Sequence, residues 1–259
     1  MGKLDRRPRG GIVKDAPWLL AANESMRVGE TLRLDPVEAR HAAGSLRRRS
    51  GDEVMLADGA GTDATAVIRI LGTGKVEAEV LAIRSYEAPT GGGVTLALAV
   101  IDRQAMDWAV QKAVELGVRR FCPVLADRTQ SRNRSSLIRA KHWRRIAFQA
   151  LKQCRRPWAM TVEDAVPLNK FVERESEIGG GVVADRDGSA IDRLPDAAAR
   201  VLAVGPEGGF TAAERELFDQ HGWPRLKLGS HVLRAETAAI VGSAMLVMKA
   251  GGKRVQGEE

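Results

Sequence analysis

The chain has 259 residues, of which 44% are hydrophobic and 28% charged, with a formal net charge of +7. This length holds one large domain or two modest ones, and the composition excludes a disordered protein. Only two cysteines are present, which argues against a disulfide framework and predicts a cytoplasmic protein in a reducing compartment. The basic N-terminus is unlike a secretory signal, and no uncharged run is long enough to span a bilayer.

The first third of the sequence is typical of a β domain. Short segments rich in Val and Ile, separated by Gly-Asp, Asp-Gly and Gly-Thr-Gly turns, predict strands within 29–35, 51–59, 62–71 and 75–83. So many strands in so short a segment favour a small barrel. Residues 41–52 interrupt them and predict a short helix that carries three arginines towards solvent.

A stretch with one proline and three glycines, residues 88–94, marks the domain boundary. We therefore predict a first domain over 1–88, a linker over 89–93 and a second domain over 94–259. In the second domain, apolar residues at helical spacing predict helices over about 104–117 and 137–154. Because helices separate the strands, the second domain should be α/β with a largely parallel sheet.

Positive charge is concentrated in one segment of the second domain. Residues 128–156 contain ten Arg or Lys and no Asp or Glu. The predicted helix over 137–154 carries Lys141, Arg144, Arg145 and Lys152 as a basic ridge. Such a segment favours a nucleic-acid partner, through neutralisation of phosphates and release of counterions. The alternative is an ordinary solvated helix face.

A glycine-rich loop, GPEGGF at 205–210, follows an apolar strand. Ligands of open parallel sheets bind beyond the carboxyl ends of the strands. Thr211 and Glu214 predict a capping box, so that a helix starts at 211. The loop lacks the GxxxxGK[ST] phosphate pattern, and Glu207 would repel phosphate. It suits a neutral or cationic ligand such as S-adenosylmethionine, with its sulfonium; a purely structural turn is the alternative.

A second strand, loop and helix occupy residues 226–251. The helix is apolar nearly all round, which predicts burial in a core or a subunit interface. Arg234 and Glu236 stand at its start. Their side chains form either a salt bridge at the helix end, with Glu236 in a favourable first turn, or part of a reactive site.

The motifs GPEGGF and LG-x-x-x-LR-x-ETA together resemble those of the SPOUT methyltransferase superfamily and, more closely, of the ribosomal RNA small subunit methyltransferase E family. The resemblance extends to QKAVELGV at 111–118, ADRTQSR at 126–132 and WRRIAFQALKQCRR at 143–156. It implies an α/β domain with a C-terminal trefoil knot, an N-terminal PUA-like barrel that binds RNA, and a homodimer packed partly through the last helix. The implied activity is methylation of N3 of a uridine in 16S ribosomal RNA, with S-adenosylmethionine as the donor.

The resemblance also implies the site residues. It assigns the donor to Val204, Gly205, Pro206, Glu207, Gly208, Gly209, Leu228, Gly229, Ser230, Val232 and Leu233. Arg234 is expected to stabilise negative charge on the uracil ring, and Glu236 to orient Arg234 or take the proton. The expected RNA contacts are Arg47, Arg48, Arg128, Arg132, Arg134, Arg144, Arg145, Arg155 and Arg156. No metal site is expected, because the four histidines are scattered.

The sequence departs from the family pattern at several positions. The N-terminus reads RRPRGGIV where the family has an aromatic start, and Lys152 replaces a usual acidic residue. His231 and Ala235 replace a usual basic residue and a usual threonine. Two other functions remain open: a SPOUT enzyme acting on transfer RNA or large-subunit ribosomal RNA, and a non-catalytic RNA-binding assembly factor of the ribosome.

Overall fold

The structure, a computed structural model, describes residues 16–21, 25–71, 75–88, 93–129, 139–195 and 200–251. The predicted RNA contacts Arg132 and Arg134, the divergent N-terminus and most of the predicted linker lie outside the described residues. The chain divides into two compact units. Unit 1 comprises Met1–Ala88 and Leu151–Trp158, and unit 2 comprises Pro89–Ala150 and Ala159–Glu259. Residues 151–158, which the sequence placed in the second domain, thus belong to unit 1.

Unit 1 contains a five-stranded sheet in the order β1-β3-β4-β5-β2. Its strands are β1 (Trp18–Leu20), β2 (Thr31–Arg33), β3 (Glu53–Ala57), β4 (Thr62–Leu71) and β5 (Lys75–Ser85). β1 pairs with β3 in parallel, and the other pairings are antiparallel. The four strands predicted from the sequence are present. The pairings of the described strands run from β1 at one edge to β2 at the other, so the barrel remains a prediction.

A short helix, α1 (Pro36–Arg40), continues into a π-helical turn at His41–Ser45. Asp35 caps α1, since its carboxylate accepts the backbone N–H groups of Val37 and Glu38 at 2.7 and 3.0 Å. The helix therefore begins before the predicted segment 41–52. The prediction that a helix carries the three arginines is wrong, because residues 47–49 follow the helical turn as irregular chain.

Unit 2 contains a seven-stranded sheet in the order β12-β10-β11-β6-β7-β8, with β9 also pairing β7. The strands are β6 (Thr95–Ala99), β7 (Arg120–Leu125), β8 (Thr161–Val162), β9 (Val166–Pro167), β10 (Val182–Ser189), β11 (Val201–Val204) and β12 (Arg225–Leu226). Every pairing between these strands is parallel. This confirms the predicted parallel α/β sheet, whose central strands β6 and β11 are buried throughout.

The helices of the second half are α2 (Arg103–Leu116), α3 (Ala140–Cys154), α4 (Leu168–Glu177), α5 (Ala212–Gln220) and α6 (Ala235–Gly251). Asp102 caps the start of α2, and Gly117 ends it in the left-handed conformation at φ +94°. These signals explain why the predicted bounds of α2 are nearly correct. None of the helices in the described part of the chain is both long and apolar enough to cross a membrane.

Helix α6 packs closely against β11. A Cβ atom added at Gly242 would lie 2.5 Å from Cδ2 of Leu202, so only glycine permits this approach. Ala239, Ser243 and Leu246 on this helix are fully buried. Met248, in contrast, is 75% exposed, so the predicted burial of the apolar helix is only partial within one chain.

Candidate functional site

The glycine-rich loop at 205–210 follows β11 at the carboxyl edge of the parallel sheet. A tight turn forms within it, since the N–H of Gly209 donates to the carbonyl of Pro206 at 2.8 Å. Gly209 has φ +68°, a conformation that L side chains disfavour. Gly209 therefore lies at the position where the backbone of the loop turns back towards α5.

The predicted capping box at the start of α5 is confirmed. Thr211 Oγ1 accepts the N–H of Glu214 at 3.3 Å, and Glu214 Oε2 accepts the N–H of Thr211 at 2.8 Å. Glu214 is buried, so the box also fixes the end of the glycine-rich loop. The first helical residue is Ala212, with Thr211 as the cap.

A second loop, residues 227–234, joins β12 to α6. Gly229 in this loop has no atom within 4 Å of an added Cβ. The carbonyl of Arg234 accepts the N–H of Ala238 at 2.8 Å, which places Arg234 at the start of α6. Arg234 is exposed there, and Glu236 lies in the first turn of α6.

The two loops converge on one cavity of about 550 Å³. Its lining contains all of the predicted donor contacts except Ser230, together with the predicted catalytic residue Arg234. Glu236 and Ser230 are absent from the lining. The volume lies within the range of cofactor pockets, roughly 300–1,000 Å³. The structure therefore brings together two motifs that lie about 20 residues apart in the sequence.

The cavity has a third wall that was not predicted from the sequence, residues 184–187 of β10. The pairing of β10 with β12 shifts register between Ala184 and Ser189, both of which oppose Leu226, so the residues between them bulge out. Asp185 Oδ1 accepts the N–H of Asp187 at 3.0 Å. The sequence contains a signal for this wall, because Asp185 ends the apolar stretch GGVVAD, residues 180–185, and so lies at the ligand-binding edge of the sheet.

Charges of both signs line this cavity. Asp185, Asp187 and Glu207 contribute carboxylates, and Arg186, Arg215 and Arg234 contribute guanidinium groups. The Oδ2 atom of Asp185 lies 3.8 Å from Nε of Arg215. A Cβ added at Gly209, as at Gly229, would contact nothing within 4 Å, so these glycines leave open space along the wall. Such a cavity can hold a zwitterionic or cationic ligand of cofactor size.

The described RNA-contact candidates are divided between the two units. Arg47, Arg48, Arg155 and Arg156 belong to unit 1, and Arg128, Arg144 and Arg145 belong to unit 2. Arg144 donates to the carbonyl of Val162 and to Asp164, both at 2.9 Å. Arg145 is exposed and contacts Nδ1 of His142 at 3.2 Å. Arg144 and Arg145, neighbours on α3, therefore differ, because the first is held by a carboxylate and a carbonyl and the second is exposed.

The predicted basic ridge on α3 is wrong at Lys152. This side chain is buried and lies 2.7 Å from the Glu38 carboxylate, within unit 1. Arg144 is also compensated, by Asp164 just beyond the basic segment. The segment is therefore less positive in the folded protein than its composition indicates. The partner carboxylates, Glu38 and Asp164, both lie outside residues 128–156, so the composition of that segment does not indicate them.

The domain that contains this parallel sheet and its glycine-lined cavity belongs to a known class, the RNA methyltransferases. Residues 88–247 match the model of the family described as "RNA methyltransferase domain". The chain is 30% identical over 237 residues to the ribosomal RNA small subunit methyltransferase E of Synechocystis sp., a match that covers 88% of this chain and 76% of that protein. It therefore belongs to the ribosomal RNA small subunit methyltransferase E family.

Two further comparisons agree with this assignment. The Aquifex aeolicus relative with the same description is 31% identical over 143 residues, and this match spans 54% of the chain and 61% of that relative. The crystal structure of a ribosomal RNA small subunit methyltransferase E from Neisseria gonorrhoeae, bound to S-adenosyl methionine, superposes with a TM-score of 0.80 at 27% identity. That superposition covers 91% of this chain and 97% of the Neisseria chain.

Proposed function

We propose that this protein transfers a methyl group from S-adenosylmethionine to N3 of a specific uridine in small-subunit ribosomal RNA. The observation that carries the proposal is the convergence of two loops, residues 205–210 and 227–234, on one cavity that also contains Arg234. The first loop supplies a glycine-lined wall, and the second supplies a cation at the cavity. The remaining wall, with Asp185 and Asp187, was not part of the family motifs.

The residues of the cavity fit the proposed donor. When bound, S-adenosylmethionine supplies an electrophilic methyl group on a cationic sulfonium. Glu207 and Asp185 favour a cation nearby, and Gly209 and Gly229 leave space for a flat group against the backbone. Phosphate, by contrast, would meet the carboxylate of Glu207 in this loop. At the glycine-rich loop, the cavity thus favours a donor with positive charge over a nucleotide phosphate.

The protein's contribution to the chemistry is positioning and charge stabilisation. Uridine N3 carries a proton, and the uracil ring takes up negative charge as that proton passes to solvent water, before N3 takes the methyl group from the sulfonium. Arg234, which lines the cavity, is the residue we assign to stabilise this charge. Glu236 is not in the cavity lining, which favours an orienting role for it over direct removal of the proton. Alignment of the two substrates supplies the larger share of the rate.

The RNA must present an unstacked or flipped uridine, because N3 is inaccessible within a helix. Of the described arginines, Arg47, Arg48, Arg144, Arg145, Arg155 and Arg156 are the proposed contacts to its phosphates, whereas Arg128 contacts the glycine-rich loop. From the family resemblance we further propose a PUA-like barrel in unit 1 and a trefoil knot in unit 2. The exposed Met248 supports pairing of two chains through α6. The proposed location, with the ribosomal RNA, is the cytoplasm.

The test is transfer of labelled methyl from S-adenosylmethionine to small ribosomal subunits and to naked 16S ribosomal RNA, both lacking the modification. The product nucleoside is identified by mass spectrometry. Methyl on N3 of one uridine is the expected result, and comparison of the two substrates shows whether assembly is required. Transfer only to transfer RNA or large-subunit ribosomal RNA, assayed in parallel, would overturn the proposed substrate. Binding of the donor without transfer to any RNA would indicate a non-catalytic assembly factor.

A further inference from the structure

Arg128 contacts the glycine-rich loop rather than standing free in the basic segment. Its Nη1 atom donates a hydrogen bond to the carbonyl of Gly208 at 2.5 Å. Its Cδ atom lies 3.2 Å from the position of a Cβ on Gly208, so the aliphatic stem also covers this residue. Arg128 is one of the phosphate contacts predicted from the sequence, but at least one of its donors is directed elsewhere.

This contact fixes the peptide group between Gly208 and Gly209 at both polar ends. Its carbonyl accepts from Arg128, and its N–H donates to the carbonyl of Pro206 at 2.8 Å. Gly209 then continues in the left-handed region at φ +68°. Glycine has more accessible conformations than any other residue, so an unbraced loop with three glycines loses much entropy when it adopts one shape.

The segment that carries Arg128 is itself held against the other end of the same loop. The N–H of Asp127 donates to Oε1 of Glu214 at 2.8 Å, and the hydroxyl of Thr211 donates to Oδ2 of Asp127 at 3.2 Å. Glu214 is the buried member of the capping box, and its carboxylate accepts the backbone N–H groups of both Thr211 and Asp127. The hydroxyl of Thr129, also buried, accepts the N–H of Ala126 at 3.1 Å and closes the turn around Arg128.

We propose that Arg128 is a positioning residue for the methyl donor, which acts by holding the Gly208–Gly209 peptide in its binding shape. The segment after β7 braces the loop at two points. Asp127 contacts the end of the loop that leads into α5, and Arg128 contacts the turn at Gly208. A guanidinium suits this role because a charge-assisted hydrogen bond is roughly twice as strong as a neutral one. Bracing before the ligand arrives lowers the ordering cost of binding. The inference rests on the proposed donor. It adds Arg128, which lies outside the cavity lining, to the residues that determine donor binding.

Measurements without RNA distinguish this proposal from a role of Arg128 as a phosphate contact. The variants are Arg128→Met, which keeps the stem without donors, Arg128→Lys, which restores one donor, and Arg145→Met as the matched control. Isothermal titration with S-adenosylmethionine alone should show the Kd of R128M raised about tenfold. R128K should recover part of this loss, and R145M should bind the donor like the wild type. Thermal unfolding of each variant checks that it is folded.

Two further readouts complete the test. The log–log salt slope of RNA binding should fall by about one for R145M and remain unchanged for R128M. Hydrogen exchange of the Gly209 amide in the ligand-free protein should be about tenfold faster in R128M than in wild type, since its bond to Pro206 loses support. Wild-type donor affinity in R128M, together with a salt slope reduced by about one, would overturn the proposal. A wild type that binds no donor would contradict the proposed function instead, and exchange at Gly209 would still decide whether Arg128 braces the loop.

Discussion

The ammonium of Lys152 lies 2.7 Å from the carboxylate of Glu38, and the two side chains are only 6% and 3% exposed. The other oxygen of Glu38 accepts the backbone N–H of Leu20 at 3.1 Å. This buried pair joins the end of α3 to α1 and β1 within unit 1. It explains why residues 151–158 belong to that unit although the chain has by then passed through part of unit 2.

Removal of one member of this pair should strongly destabilise unit 1. Lys152→Met leaves the Glu38 carboxylate buried without its cation, a change that typically costs about 3–5 kcal/mol. The double variant E38Q/K152M should recover most of the loss, because the amide oxygen of the substituted side chain can still accept the N–H of Leu20. Urea denaturation measures the free energy of unfolding of both variants. The exposed pair of Arg69 and Glu79 is the control, since Arg69→Met should cost less than about 1 kcal/mol. Equal losses in the two single variants would refute a special role for the buried pair.

Substitution of Gly209 should weaken both the loop and donor binding. At φ +68° an alanine is strained by about 1–2 kcal/mol. We expect Gly209→Ala to lower the melting temperature and to raise the Kd for S-adenosylmethionine. Gly229→Ala is the control for stability, because its Cβ would meet no atom within 4 Å and its φ lies outside the left-handed region. An unchanged melting temperature in G209A would show that the loop relaxes without cost.

The close packing of α6 on β11 should make Gly242 intolerant of a side chain. An added Cβ would lie 2.5 Å from Cδ2 of the fully buried Leu202. Overpacking of this kind costs about 1–3 kcal/mol. Leu202→Val removes the clashing atom, so the double variant G242A/L202V should be less destabilised than the sum of the single variants. Chemical denaturation of all four proteins measures the coupling, and strictly additive losses would contradict the contact.

Arg234 should affect turnover more than donor binding. It lines the cavity, where we assign it to charge stabilisation on the uracil ring. Loss of a comparable stabilising group lowers kcat by about 10²–10³. We therefore expect Arg234→Ala to retain the wild-type Kd for S-adenosylmethionine and to lose turnover by this factor under saturating substrates. Weak donor binding with normal turnover at saturation would assign Arg234 to the donor instead.

Tyr86 offers a pH measurement that reports on unit 1 alone, because it is the single tyrosine of the sequence. Burial, followed by the hydrogen bond from its hydroxyl to Asp63, raises the pKa of Tyr86 to about 12. The native state thus favours the neutral phenol, and this contribution to stability is lost as the pH rises from about 10 towards 12. Tyrosinate absorbance should show a midpoint near 12 in the native protein and near 10 in denaturant. A native midpoint near 10 would contradict the hydrogen bond from Tyr86 to Asp63.

The sequence by itself determined the features that depend on neighbouring residues. The capping box at Thr211 and Glu214, the bounds of α2 and the glycine-rich loop after β11 follow from spacings of a few residues. The alternation of strands and helices also fixed the parallel character of the second sheet, since parallel strands require crossover connections. The loops that line the cavity were identified from the same local motifs, together with their resemblance to a family.

Only the tertiary structure decided which distant groups meet. The partner of Lys152 lies 114 residues away, and the carbonyl that Arg128 contacts lies 80 residues away. Neither can be deduced from helical periodicity, which specifies the face of a side chain but not what packs against it. The bulge that brings Asp185 to the cavity likewise depends on the register between β10 and β12. Strand register and long-range contacts are set by the packing of whole helices and strands. For this reason the sequence alone assigns Lys152 and Arg128 to a basic surface and does not identify Asp185 as part of the cavity.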